Sequence, residues 1–151
     1  MLLEYIDYEA ATKRILKDYE DKIWQLEQFE KQIQEIDGNM TSAKNKVLSS
    51  VRVSGGSSQS EEVLVKAIDK KMLLEKGVKD INYYTDTFLP AWGRLTDEER
   101  LLLTERYIRK RQNYGDWTGV IKDKLYLERT AAYEHSDWAL VRLTKLLWGR
   151  C

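Results

Sequence analysis

The stretch that decides the fold runs from residue 116 to residue 143 and reads DWTGVIKDKLYLERTAAYEHSDWALVRL. Asp116 is a residue type that caps helices, and a short helical pattern follows it. That pattern carries Trp117, Val120, Ile121 and Leu125. Residues 126–128 then make a tight connection to a longer helix. The inner face of the longer helix carries Ala132, His135, Ala139, Leu143 and Leu146. A short helix, a three-residue turn and a longer helix predict a helix-turn-helix.

A further helix is predicted just before this motif. Thr96 followed by Glu99 is a capping-box pattern, in which side chains satisfy the free N–H groups of the first turn. Residues 109–111 are Arg-Lys-Arg, and cations at the end of a helix complement its dipole. Residues 113–116, Asn-Tyr-Gly-Asp, predict the turn into the helix-turn-helix. The apolar residues of this helix are Leu101, Leu102, Leu103, Tyr107 and Ile108.

The first 93 residues carry the pattern of two long helices. Apolar residues recur every three or four positions over about 2–37 and predict the first helix. Residues 38–60 are rich in Ser and Gly and predict a flexible loop, within which residues 41–49 are also compatible with a short helix. A second helix is predicted over 61–89, where Pro90 ends it because the residue before a proline avoids the helical conformation. The two helices are expected to form an antiparallel pair or part of an intermolecular coiled coil.

The charges of the chain balance but are unevenly distributed. There are 25 Lys and Arg residues and 25 Asp and Glu residues, and a net charge of zero excludes a uniformly basic, histone-like binder. Residues 1–40 carry a net charge of −5, residues 41–93 carry +2 and residues 94–151 carry +3. The positive excess therefore lies on the predicted helix-turn-helix, although +3 alone does not indicate nucleic-acid binding.

The sequence argues against several other classes of protein. A single cysteine, Cys151, excludes an intramolecular disulfide and a CxxC zinc site. No apolar run approaches the roughly 20 residues that span a bilayer, and no secretory signal pattern is visible. The chain is therefore expected in a cytoplasmic, reducing compartment without membrane contact. His135 is the one histidine, and no nucleophile motif accompanies it, so neither an enzyme nor a metal or cofactor is expected.

Together these patterns predict an all-α fold with two domains. Residues 1–93 are expected to form a helical arm, as a long hairpin or a coiled coil. Residues 94–151 are expected to form a compact helix-turn-helix domain.

The C-terminal residues resemble region four of bacterial sigma factors. Residues 95–100, Leu-Thr-Asp-Glu-Glu-Arg, together with Leu103 and residues 106–108, look like its opening helix. The next helix of region four and its turn are matched by Trp117, Ile121, Leu125 and Leu127. The recognition helix of region four and its ending are matched by Arg129, Ala132, Ala139, Leu140 and Leu143. The resemblance covers residues 95–147, a little over a third of the chain.

The layout of the whole chain is similar to that of the phage-encoded ArpU/RinA family of late transcription regulators. This resemblance implies sequence-specific binding to phage promoter DNA and activation of transcription with host RNA polymerase, inside a bacterial host cell. Lys122 departs from the pattern, because a small residue usually stands where the two helices touch. Glu128, Glu134 and Asp137 add negative charge near the outward face of the predicted recognition helix.

The first residues of the predicted recognition helix are the candidates for contact with DNA, because such a helix reads base edges with its N-terminal end. Arg129, Thr130, Tyr133 and Glu134 are predicted to share its outward face. Arg129 suits a guanine edge, Thr130 a thymine methyl or a phosphate, and Tyr133 a phosphate. Glu134 can accept from cytosine or bind a protein. Phosphate contacts are further expected from Lys122, Lys124, Arg109, Lys110 and Arg111.

Two other functions fit the same layout. A small terminase-like DNA-packaging factor also joins a helix-turn-helix to helical oligomerisation segments. A protein-binding adaptor of RNA polymerase would instead use the acidic recognition helix to grip a protein. If the chain is a DNA-binding regulator, a homodimer or higher homo-oligomer is expected, since two modest DNA interfaces can then act together on spaced half-sites.

Overall fold

The computed structural model describes residues 5–50, 57–110 and 116–150. These residues contain five α-helices, one π-helical turn and no β-strand, which confirms the predicted all-α fold. The α-helices are α1 (Tyr8–Ser50), α2 (Ser57–Gly93), α3 (Asp97–Leu103), α4 (Trp117–Leu125) and α5 (Arg129–Trp148). The π-helical turn, Thr104–Ile108, directly follows α3.

Helix α1 begins later and ends later than predicted. It begins at Tyr8 rather than near residue 2, and the N–H of Ala10 donates to the carboxylate of Asp7 at 2.9 Å. That side-chain acceptor caps the first turn. The helix then passes through Gly38, where a stop was expected, and continues to Ser50.

The flexible loop predicted over 38–60 is therefore wrong for residues 38–50 and 57–60, which are helical. Residues 51–56 lie outside the described residues. A single glycine inside a helix costs only about 1 kcal/mol relative to alanine, which is too little to end a long helix. Just past Gly38, the hydroxyl of Thr41 donates to the carbonyl of Asp37 at 2.9 Å, within the helical turn.

Helix α2 also passes the residue that was predicted to end it. Pro90 lies inside the helix, which ends at Gly93. The proline ring removes a backbone hydrogen bond and costs about 3 kcal/mol in a helix interior. Phe88 and Ala91, on either side of Pro90, are buried in the core, and their burial offsets that cost.

The chain forms two compact units, whose boundaries differ from the predicted one between residues 93 and 94. One unit comprises the described residues of Met1–Lys22 and Tyr84–Cys151, and we call it the helix-turn-helix unit. The other, Ile23–Tyr83, is called the hairpin unit. The predicted arm is thus divided, because the first turns of α1 and the last turns of α2 pack with α3 to α5.

The main core of the helix-turn-helix unit brings together distant parts of the sequence. Leu16 from α1 and Phe88 from α2 are almost completely buried, as are Leu103 and Leu143. The full buried cluster consists of Leu16, Phe88, Ala91, Leu95, Leu103, Ile108, Ala139, Leu140 and Leu143. Burial of side chains of this size stabilises a fold by about 1.5–3 kcal/mol each, so the first helix is an integral part of this unit.

A buried polar network connects α1 to the end of α5. The hydroxyl oxygens of Thr12 and Thr144 are 3.0 Å apart and fully buried. The indole N–H of Trp148 donates to the Thr12 hydroxyl at 3.1 Å, and the Thr12 hydroxyl donates to the carbonyl of Tyr8 at 2.8 Å. Buried polar groups are tolerated when they are hydrogen-bonded in this way, and the network adds a directional contact to the apolar core.

The hairpin unit contains an antiparallel helix pair, which is one of the two arrangements that the sequence left open. The ammonium group of Lys71 on α2 lies 2.6 Å from the carboxylate of Asp37 on α1. Further along the pair, the ring of Phe29 lies directly against Gly77, at a place where a side chain on residue 77 would collide with it. From the first contact to the second, the residue number decreases on α1, from 37 to 29, and increases on α2, from 71 to 77. The two helices therefore run in opposite directions. The hydrogen bond to Asp37 also raises the pKa of Lys71.

Candidate nucleic-acid interface

Helices α4 and α5 form the predicted helix-turn-helix. Asp116 caps α4, because its carboxylate accepts from the N–H of Thr118 at 3.0 Å. The helix ends at Tyr126, which adopts the left-handed conformation with φ 57° and donates its N–H to the carbonyl of Lys122 at 3.0 Å. A left-handed residue turns the chain sharply, and Glu128 then precedes the first residue of α5. The three-residue connection was therefore predicted at the correct position.

A small apolar cluster holds α3, α4 and α5 together. Leu102, Ile121 and Ala132 are its buried members, one from each helix. The half-buried residues packed against them are Leu101, Trp117, Leu125 and Leu127. Lys122, which departs from the sigma-like pattern, is mostly exposed, and its ammonium lies 3.5 Å from the carboxylate of Glu128. The large residue at this position is accommodated because it extends into solvent.

The N-terminal end of α5 presents the two residues on which the DNA-binding prediction mainly depends. Arg129 is the first residue of the helix, and its side chain is 72% exposed. Its guanidinium lies 3.7 Å from the carboxylate of Asp116, a contact that is weak at an exposed site. Thr130, the next residue, is also exposed. Both side chains are therefore accessible for contact with a ligand.

Tyr133 does not share the outward face that was predicted for it. The residue is half-buried, and its ring packs edge-on against Trp117, with the ring centres 5.1 Å apart. The guanidinium of Arg106 lies 4.8 Å from the centre of the Tyr133 ring on another side. Tyr133 is thus first a packing residue between α4, α5 and the π-helical turn, and its position is fixed by these neighbours.

Arg106 is the central residue of this packing and was not singled out from the sequence. Its guanidinium donates to the hydroxyl of Ser136 and to the carboxylate of Asp137, both at 2.6 Å. It also lies 5.4 Å from the centre of the Trp117 ring. These contacts come from two other helices, α4 and α5, so no local pattern could reveal them. Asp137, one of the acids noted near the outward face of the predicted recognition helix, is therefore ion-paired.

The true outward face of α5 carries Thr130, Glu134 and Trp138, which are spaced four residues apart and exposed. Trp138 is 62% exposed, and its ring contacts the half-buried His135 at 5.0 Å between centres. This tryptophan was missed as a site residue, although its spacing from Thr130 could have identified it. A large apolar side chain on an outward face can contact a thymine methyl or the apolar surface of a partner.

The cations predicted to contact phosphates differ in their surroundings. Lys122 and Lys124 are exposed on α4. Arg109 follows the π-helical turn and lies 3.5 Å from the buried carboxylate of Glu105. Lys110 lies 2.6 Å from the carboxylate of Asp21 on α1. Arg111 lies outside the described residues. The backbone position of Arg109 is fixed, because its N–H donates to the carbonyl of Thr104 at 2.8 Å and closes the π-helical turn.

The comparisons with known proteins identify no relative. No family model, curated protein or solved structure matches the chain. In the described part of the chain, no group of three or more metal-binding side chains is found. None of the described helices is long and apolar enough to cross a membrane. The function is therefore argued from the geometry of α4 and α5.

Proposed function

We propose that the chain is a phage-encoded, sequence-specific DNA-binding transcriptional regulator, and that it activates late genes together with host RNA polymerase. The observation that carries the proposal is the helix-turn-helix with Arg129 and Thr130 exposed at the N-terminal end of α5. In this arrangement α5 is the recognition helix, and its first turn enters the major groove. The proposed protein is a homo-oligomer without catalytic activity that acts in the cytoplasm of the bacterial host.

The residues that perform recognition are a revised set. Arg129 offers a guanidinium fork that can bind guanine in two places, and Thr130 offers a methyl group and a hydroxyl. Trp138 and Glu134 lie further along the same helix and extend the surface that faces DNA. Tyr133 supports recognition through its packing against Trp117, which holds α5 against α4.

Phosphate contacts are assigned to Lys122 and Lys124, which are exposed beside the turn. With so few cations and with acidic neighbours, non-specific attraction to DNA is weak. Affinity then depends on base contacts more than on bulk charge, and binding is expected to be highly sensitive to base substitutions in the site.

The proposal is tested by selecting DNA sites from a random library at low salt and then measuring the dissociation constant of the selected site. Arg129→Ala should raise that constant by about 5- to 150-fold, which corresponds to roughly 1–3 kcal/mol, and should relax base preference at one position. Lys145→Ala is the matched control, because Lys145 is an exposed cation on the same helix, about 24 Å away. A native protein that selects no sequence would refute the proposal.

One observation favours a second candidate function, an adaptor that binds RNA polymerase without reading DNA. The outward face of α5 pairs an acid, Glu134, with the exposed Trp138, and aromatic residues are enriched where proteins bind each other. In that case purified polymerase should bind the native chain in the absence of DNA, and Trp138→Ala should remove the binding. Loss of polymerase binding on Trp138→Ala, together with no selection of a DNA site by the native chain, would distinguish the adaptor from the regulator.

A further inference from the structure

The hairpin unit exposes apolar side chains on a face of α2 that lies beside the face of its half-buried residues. Val65, Ile68 and Met72 are 56%, 44% and 62% exposed. Their spacing of three and four residues places them on one stripe of the helix, which we call the α2 stripe. The half-buried residues of this part of α2 are Leu64, Ala67, Lys71 and Leu74, and they form a different face. The α2 stripe is therefore a second apolar surface of the same helix.

Charges of opposite sign lie at the two ends of the α2 stripe. Glu61 precedes it and Lys79 follows it, and both side chains are exposed. They are eighteen residues apart, which is five helical turns, so they lie on the same line along the helix as the apolar residues. A surface that is acidic at one end, apolar in the middle and basic at the other complements a copy of itself that runs in the opposite direction.

We propose that the α2 stripe binds the α2 stripe of a second copy of this chain in an antiparallel pair. With a two-fold axis beside residue 70, Ile68 of each copy faces Met72 of the other, and Glu61 meets Lys79 at both ends. Such an isologous contact buries the same patch on both chains, as two-fold dimers do. A parallel pair would place Glu61 beside Glu61 and Lys79 beside Lys79, and like charges would oppose it.

Val65, the third apolar residue of the α2 stripe, is also compatible with this antiparallel register. Val65 faces Glu75, whose carboxylate lies 3.8 Å from the ammonium of Lys71 on its own helix. The aliphatic part of the glutamate can then cover Val65 while its charge stays beside the lysine. The apolar centre is short, so the contact is expected to be reversible and concentration-dependent.

The first test is sedimentation velocity of the full chain under reducing conditions, over a series of protein concentrations. The native chain should pass from monomer to dimer. Met72→Gln should raise the dimer dissociation constant at least about tenfold without changing the helical circular dichroism, since Met72 is exposed in the monomer. Val63→Gln is the matched control, because Val63 is equally exposed but lies on the opposite side of the helix. A chain that stays monomeric, or a Met72→Gln dimer of native strength, would overturn the proposal.

The second test concerns direction. Glu61→Lys and Lys79→Glu should each weaken the dimer, because each places like charges at positions 61 and 79 of the two copies. The double variant should restore the dimer, because the new lysine at position 61 of one copy then faces the new glutamate at position 79 of the other. A double variant that is weaker than either single variant would refute the antiparallel register. The dimer is measured without DNA, so the proposed function and this contact can fail independently.

Discussion

The ammonium of Lys110 lies 2.6 Å from the carboxylate of Asp21, so a cation predicted to contact DNA phosphate is paired with an acid on α1. Both side chains are more than half exposed, at 58% and 62%. A phosphate that approaches Lys110 must therefore compete with Asp21. The acidic character of the first helix, visible in the sequence as a net charge of −5 over residues 1–40, acts directly on the proposed DNA-binding unit.

Removing this acid should strengthen DNA binding if the proposed function holds. We expect Asp21→Asn to tighten binding to the selected site and to increase the slope of log affinity against log salt concentration by about one, because Lys110 then contributes a phosphate contact. Glu20→Gln is the control, since it removes the same charge from the neighbouring exposed position. Equal effects of the two variants in a salt titration would show that only the general charge of α1 matters.

Replacement of Gly77 by alanine should destabilise the protein, although alanine is the better helix former. An added Cβ would lie 2.7 Å from Cε2 of Phe29, which is closer than carbon atoms approach in real structures, so the ring or the helix pair must shift. Overpacking of this kind costs about 1–3 kcal/mol, which exceeds the gain in helix propensity of about 1 kcal/mol. Gly38→Ala, with open space around the new Cβ, should instead stabilise the protein by about 1 kcal/mol in urea unfolding. The same sign for both variants would contradict this explanation.

The hydroxyl of Tyr84 should make a pH-dependent contribution to stability. It donates to the carbonyl of Ile15 and is partly buried, and burial raises the pKa of Tyr84. The contribution is complete below the unfolded pKa of about 10 and is lost as the pH rises above it, because only the unfolded state then gains by ionising. Tyr84→Phe should cost about 1 kcal/mol at pH 7, and the difference from the native protein should shrink above about pH 10 in thermal unfolding.

Tyr107 provides the matched control for Tyr84. Burial also raises the pKa of Tyr107, but its buried hydroxyl has no hydrogen-bond partner among the described residues. An unpaired buried hydroxyl is unfavourable, so Tyr107→Phe should leave stability at pH 7 unchanged or raise it by about 1 kcal/mol. A loss of stability equal to that of Tyr84→Phe would show that the hydrogen bond to Ile15 is not the cause.

Tyr126 holds the turn of the helix-turn-helix in a conformation that favours glycine. Its side chain is 88% exposed and its φ is 57°, so little packing is lost on removing the ring, whereas the left-handed strain is relieved. Tyr126→Gly should therefore stabilise the protein by about 1 kcal/mol. Tyr126→Ala keeps the Cβ and should show no such gain. Equal midpoints of thermal unfolding for the two variants would argue against backbone strain at this residue.

Local patterns predicted the elements near the helix-turn-helix well and the longer helices less well. The capping box formed by Thr96 and Glu99 is present, and the turn at residues 126–128 lies where expected. Gly38 and Pro90 misled the prediction because each carries a known cost that distant contacts can offset. The assignment of Leu16 to the same core as Leu143 depends on tertiary packing, which periodicity along one helix cannot reveal.

The candidate site shows the same division between local and tertiary information. Arg129 and Thr130 are exposed at the start of α5, as the position of the turn predicted. The four-residue spacing of Tyr133 from Arg129, taken alone, predicts an outward position for Tyr133. Its orientation is decided by Trp117 and Arg106, which come from other elements. Trp138 was recognisable from its spacing, but its exposure became evident only when the buried side of α5 was known.

The buried contact between Thr12 and Thr144 joins residues that are 132 positions apart in the sequence. While the chain is being made, the hydrogen bond between Thr12 and Thr144 and the complete core around Leu16 can form only after α5 has left the exit tunnel. The helix-turn-helix unit therefore completes its core only after α5 has been made, and the apolar face of its first helix stays partly exposed until then. A fragment that begins at residue 94 lacks that helix and the last turns of α2, so expression of the helix-turn-helix unit alone requires residues 1–22 together with residues 84–151.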